Sequence, residues 1–197
     1  WLTLCVNCLY GQNPFVETLS TENGLSQGMI FDICQTSDGF LWIATKHGLN
    51  RYDGYNFKIF INNRQNPFSL AENTITALYE DSRGWLWVGT ESQGVDVYNP
   101  RTEQFHHFPL KFDKKARGAS NHVRTITEAP DGAMYILQLG NGVVRISIPD
   151  KWATQMPNEP DLSANTEIIL FKKEQFEQAE AKQEVNICQI VVQPNQQ

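Results

Sequence analysis

Cys5-Val6-Asn7-Cys8 is the segment best spaced for chemistry, since two thiols at this separation can hold zinc or cycle between dithiol and disulfide. A structural zinc site needs a second pair, and there is none. Cys34 and Cys188 stand alone in predicted strands and read as small core hydrophobes. The four histidines, His47, His106, His107 and His122, fall in three separate strands or turns, and His106 and His107 point to opposite faces of one strand. No metal site and no cofactor is expected. The glycine-rich turns lead into strands rather than helices, so they form no phosphate cradle. Carboxylates are plentiful, but glycoside cleavage needs two held a few ångströms apart, which spacing along the chain does not supply. With no nucleophile, base or metal cluster gathered by any motif, the chain is expected to catalyse nothing.

The charge balance narrows the partners. Sixteen basic against twenty-two acidic side chains give a formal net charge of −6, which opposes binding to a phosphate backbone, so no nucleic acid is expected on this segment. Hydrophobic residues at 41% and charged residues at 19% are ordinary for a folded domain. No stretch approaches the ~20 apolar residues of a membrane span.

What organises the chain is a repeat. Ile33-Cys34-Gln35-Thr36-Ser37-Asp38-Gly39-Phe40-Leu41-Trp42-Ile43-Ala44-Thr45 is written again as Ala77-Leu78-Tyr79-Glu80-Asp81-Ser82-Arg83-Gly84-Trp85-Leu86-Trp87-Val88-Gly89-Thr90. A worn third copy runs from Ile126 through Pro130-Asp131-Gly132 to Leu137. The turn glycines Gly39, Gly84 and Gly132 lie 45 and 48 residues apart, a period at which repeats form propeller blades. Gly48, Gly94 and Gly142 mark a second turn in each copy, where a tight hairpin wants positive φ. Apolar alternation between the turns gives four short strands a to d per copy, which must stack on neighbours to bury both faces. The expected fold is all-β, a β-propeller of four-stranded antiparallel blades. Blades are expected at 29–60, 75–108 and 122–171, with Trp42, Trp87 and Tyr135 as the bulky fillers between them. Arg51 and Arg145, at equivalent points of strand c, read as structural or surface residues rather than ligand contacts.

Asp38-Gly39-Phe40-Leu41-Trp42-Ile43-Ala44-Thr45 with Gly48-Leu49-Asn50-Arg51-Tyr52-Asp53-Gly54, and the matching Gly84 to Pro100, resemble the two-component regulator propeller repeat. Glu22-Asn23-Gly24-Leu25-Ser26-Gln27 is similar to the lead-in of such repeats. The third copy departs from the pattern, with Met134-Tyr135 for Leu-Trp and Leu137-Gln138 for Gly-Thr. The resemblance implies the N-terminal periplasmic sensor of a hybrid two-component histidine kinase, anchored in the inner membrane by a later segment and acting as a dimer. It also implies a small saccharide as signal, and the remaining blades and the downstream kinase of the same protein as partners.

Seven blades of the observed period would need roughly 315 residues. The 197 present therefore read as about three blades plus the first strand of a fourth. Residues 185–197 align with the start of blade 3, placing Pro194 on Pro130 and Asn195 on Asp131. At the other end, 1–12 reads as the remnant of a signal peptide and 13–28 as a lead-in that includes a closing strand at 15–19. The stretch 172–184, rich in Glu, Gln, Lys and Ala, reads as a polar insertion.

In such a fold the b–c and d–a connections share one rim. Lys46, His47, Glu91, Ser92, Gln93 and Asn141 are the candidate ligand-binding residues there, because recognition groups concentrate on loops borne by a rigid scaffold. Two other readings compete. A propeller enzyme of streptogramin-lyase-like or glycan-cleaving type would also pair Gly with Trp, although Ser37-Asp38-Gly39 lacks the spacer of a sialidase Asp-box. A protein-interaction scaffold would need only the blades.

Overall fold

A computed structural model describes residues 18–108, 110, 120–139, 142–149 and 166–169. Apart from a short 3-10 turn at Thr21–Asn23, every regular element in it is a strand. Blade 1 contains β1 (Ile30–Gln35), β2 (Leu41–Thr45), β3 (Gly48–Tyr52) and β4 (Phe57–Phe60). Blade 2 contains β5 (Ile75–Glu80), β6 (Leu86–Thr90), β7 (Val95–Asn99) and β8 (Gln104–Phe108). Blade 3 contains β9 (Val123–Glu128), β10 (Met134–Gln138), β11 (Gly142–Ile146) and β12 (Thr166–Ile169). Each blade is an antiparallel sheet in simple sequential order, so strands adjacent in sequence are adjacent in the sheet.

The repeat survives in atomic detail. Register pairs Trp42 with Cys34 and Arg51 in blade 1, Trp87 with Tyr79 and Val97 in blade 2, and Tyr135 with Thr127 and Arg145 in blade 3. All six turn glycines have positive φ. At Gly48 the demand is steric as well, because an added Cβ would stand 2.5 Å from the Phe60 carbonyl oxygen. Gly89 answers a different need: a Cβ there would lie 2.5 Å from Val123, so only glycine lets β9 close onto blade 2.

Two apolar clusters hold the three sheets together. Trp42, Ala44 and Leu49 of blade 1 meet Leu78, Leu86, Val88, Tyr98 and Phe105 of blade 2. Trp42 lies 4.9 Å from the Tyr98 ring and 5.6 Å from Phe60. Trp85, Trp87, Val95 and Val97 in turn meet Val123, Ile126, Met134 and Ile136 of blade 3. Blades 1 and 2 therefore each bury the strand-b tryptophan against the next blade. Tyr135, the third residue of that series, is only half-buried, because the face it occupies has no fourth blade on it among the described residues. Cys34 also differs from a core residue: it packs at the margin of the first cluster, and partial burial pushes its thiol pKa up.

Several expectations lie outside the described residues. These are the signal remnant 1–12, most of the closing strand 15–19, the insertion 172–184, the fourth-blade start 185–197 and Asn141.

Candidate functional site

Strand pairing decides which loops share an end. Ile30 pairs with Thr45 and Thr45 with Gly48, while Leu49 pairs with Phe60, so the b–c turn and the d–a connection of blade 1 leave the same end of the sheet. Blade 2 repeats this through Ile75 with Thr90 and Val95 with Phe108. Lys46, His47, Glu91, Ser92 and Gln93 all stand exposed at that rim.

The turns that carry them are tied down from beneath. In blade 1 the Thr45 hydroxyl donates to the Gly48 carbonyl at 2.8 Å and accepts the His47 amide at 3.0 Å. Thr90 does the same in blade 2, donating to Gly94 at 2.9 Å and accepting the Gln93 amide at 3.0 Å. A further backbone bond recurs three times, from the Lys46, Glu91 and Leu139 amides to the Met29, Thr74 and His122 carbonyls at 3.3, 3.1 and 2.9 Å. Gln138 replaces the threonine in blade 3. Its Nε2 donates to Asn121 at 3.2 Å, and its buried Oε1 has no partner among the described residues.

The d–a connections dock through a buried polar residue in strand c. Asn50, fully buried, accepts the Ser26 amide at 2.9 Å and donates to the Ser26 hydroxyl at 2.8 Å. Asp96, equally buried, takes the same place in blade 2 and accepts the Ala71 amide at 2.8 Å. Leu25 and Leu70, each one residue before the docked amide, are buried as well. Asp96 also lies 2.7 Å from His107 Nδ1, and His107 Nε2 lies 2.9 Å from the Pro67 carbonyl. Burial raises the Asp96 pKa, and the hydrogen bond to Asp96 raises that of His107. Thr45, Thr90, Asn50 and Asp96 are not among the residues singled out by sequence. Their signal was a polar residue recurring at one repeat position inside an apolar strand.

The structure brings the rim residues together only in part. The Ser92 amide and hydroxyl both reach Glu72 Oε2, at 2.8 and 3.1 Å, and Gln93 Nε2 donates to the Ser92 hydroxyl at 3.2 Å. No hydrogen bond or ion pair among the described residues engages the side chains of Lys46, His47 or Glu91. The opposite end contrasts with this. There Arg51 bridges to Tyr98 and Glu103, both at 3.1 Å, while its guanidinium stacks 4.4 Å over Phe40. Arg83 reaches Glu128 at 3.0 Å and the Gly132 carbonyl at 2.8 Å. Arg145 is paired within blade 3, with Asp131 at 2.7 Å. Among the described residues no three His, Cys, Asp or Glu side chains gather as metal ligands. No helix there is long and apolar enough to cross a membrane.

A family profile described as two component regulator propeller matches residues 24–47 and 69–92. Both matches run from the docked lead-in through strands a and b to the b–c turn, in the same register 45 residues apart. This chain carries two-component regulator propeller repeats. It is 43% identical over 59 residues to Histidine kinase P4 of Formosa agariphila, a match covering 30% of this chain and 4% of that protein. The extracellular domain of the hybrid two component system BT3049 from B. thetaiotaomicron superposes with a TM-score of 0.61 at 22% identity, over 80% of this chain and 20% of that one. That of BT4673 from B. thetaiotaomicron gives a TM-score of 0.51 at 23% identity, over 66% of this chain and 18% of that one. These two likenesses show the fold, a β-propeller. The chain spans a fifth or less of each relative's length.

Proposed function

We propose that this chain is the ligand-reading part of an extracytoplasmic two-component sensor, and that its own residues catalyse nothing. The observation that carries the proposal is the repeat itself, matched twice in one register over the lead-in and the rim turn. The complete protein is then an inner-membrane histidine kinase, consistent with the relative named as one and with the extracellular origin of the propeller neighbours. By the same family resemblance it works as a dimer, and its signal is a small saccharide.

The rim is the reading surface we propose. Its turns are rigid, tied by Thr45 and Thr90, yet Lys46, His47 and Glu91 present exposed side chains without partners among the described residues. At the opposite end Arg51 and Arg83 are committed to ties between blades. Ser92, Gln93 and Asn141 complete the proposed set.

The test replaces Lys46, His47, Glu91 and Gln93 together by alanine in the complete sensor and reads a transcriptional reporter against a panel of mono- and oligosaccharides. Loss of the response with unchanged expression is the expected result. An unaltered response would reject the rim, and a sensor deaf to every saccharide but alive to another class of molecule would reject the ligand. Turnover of a glycan or an antibiotic by the purified propeller would reject the non-enzymatic reading.

A further inference from the structure

His107 stands between two hydrogen-bond acceptors. The Pro67 carbonyl, 2.9 Å from Nε2, can only accept, so Nε2 carries a proton. Asp96 Oδ1, 2.7 Å from Nδ1, leaves two possibilities. Either the carboxylate is ionised and Nδ1 is protonated, making the ring an imidazolium, or the carboxyl holds the proton and the ring is neutral. In both cases the pair retains one proton more than a free carboxylate and a free neutral imidazole would together. That proton holds loop to blade, because Pro67 belongs to the connection between β4 and β5, and Asp96 and His107 belong to β7 and β8.

We infer that Asp96 and His107 form a proton-dependent clasp on the 61–74 connection, and that this connection loosens from the rim as the pH rises. Losing the proton turns a ring lone pair either toward the Pro67 carbonyl or toward the buried carboxylate, so one of the two bonds is lost and His107 no longer joins loop to blade. Both groups have raised pKa values, Asp96 through burial and His107 through its bond to Asp96, so the clasp is intact at low pH and lost as pH climbs through the folded value of the pair. Glu72, on the connection itself, is the other charge acting on Asp96, and it too favours retention of the proton. The His107 side chain is 36% exposed, so solvent can exchange the proton directly.

Loosening would reach the rim by two routes. Glu72 holds Ser92, and the Asn73 carbonyl accepts the Gly48 amide at 2.7 Å. Blade 1 supplies an internal control, because Asn50 docks the Ser26 amide in the same place with a side chain that does not titrate. The clasp stands independently of what the rim binds.

Hydrogen exchange followed by mass spectrometry on the full chain, corrected for intrinsic exchange rates, tests this. Protection of 66–73 is expected to fall about tenfold between roughly pH 6 and pH 9, while protection of 24–30 holds steady. The Asp96→Asn variant should invert the dependence. Its amide can accept from Ala71 and donate to a neutral His107, which still donates to Pro67, so protection rises with pH and falls on acidification. His107→Gln should flatten the dependence and serves if Asp96→Asn does not fold. Equal wild-type protection at both pH values would overturn the inference. So would a parallel fall at 24–30, or the same sign of dependence in wild type and Asp96→Asn.

Discussion

Glu80 reaches back from blade 2 to close on Ser37 of blade 1, its Oε2 2.8 Å from the Ser37 amide and its Oε1 2.8 Å from the Ser37 hydroxyl. Glu128 of blade 3 makes the same two-pronged contact with Ser82 of blade 2, both bonds at 2.7 Å. Each blade is thus latched to its predecessor at the a–b turn. Pro130 stands where Ser37 and Ser82 stand in the other blades, and proline offers neither an amide proton nor a hydroxyl, so this latch cannot recur on blade 3.

From the latch follows the first prediction. Glu80→Ala removes two charge-assisted bonds near the surface and should lower stability by about 1–2 kcal/mol, read as a shifted urea midpoint with unchanged slope. A neutral result would mean that the apolar interface alone aligns the blades.

The second concerns the tryptophan series. Trp87 is 1% exposed, stacks near Phe108 at 6.1 Å and donates its indole N–H to Asp81 at 3.0 Å. Trp87→Ala should cost about 3–5 kcal/mol through the cavity it leaves. Tyr135→Ala, at the same repeat position but half-buried, should cost clearly less in this chain. Comparable losses at the two sites, measured by denaturation, would contradict the assignment of Tyr135 to a face that no described blade covers.

Much of this fold was legible because glycine and tryptophan announce themselves. Gly39, Gly84 and Gly132 mark turns that need positive φ, and Trp42 and Trp87 mark the strand that fills the space between blades. The contacts from Glu80 to Ser37 and from Asp32 to the Leu78 amide were not legible, since they join residues 43 and 46 positions apart across two sheets. Their geometry depends on how the sheets stack, which no local pattern encodes. The rim was legible as a place, because connectivity alone puts Lys46 and Glu91 at one end. Its chemistry was not, as nothing in Lys46-His47 or Glu91-Ser92-Gln93 differs from an ordinary solvated turn. Asp96 was hidden by its neighbours Val95 and Val97, and its meaning emerges only when His107, Pro67 and Ala71 are seen to converge on it.

A third prediction comes from Glu103, which lies in the c–d turn of blade 2 with φ 55 and receives Lys58 and Arg51 from blade 1. The hydrogen bond from Lys58 first, and that from Arg51 after it, hold its carboxyl below the usual range. A depressed carboxylate contributes stability above its unfolded pKa of about 4.3 and loses it as pH falls through the lower folded value. Glu103→Gln should therefore flatten the acid limb of a stability-against-pH curve. Because the side chain is 40% exposed, added salt should shrink the difference. An acid limb identical in both proteins would show that the three charges share a surface without coupling.

The last prediction turns on the outer face of blade 1. Ile30 and Ile33 of β1 are 42 and 55% exposed, with Phe31 between them at 45% and Met29 just before the strand at 50%, although Ile75 and Leu78, the counterparts of Ile30 and Ile33 in blade 2, are buried against blade 1. A run of apolar side chains on an open strand favours association, both through the hydrophobic surface and through the strand's role as a template. The isolated chain should therefore self-associate at micromolar concentration in sedimentation velocity, and the double change Phe31→Lys with Ile33→Lys should return it toward monomer without altering its far-ultraviolet dichroism. Wild-type chain that sediments as a monomer and melts in one sharp transition would mean that this face needs no cover, and that three blades suffice as a folding unit.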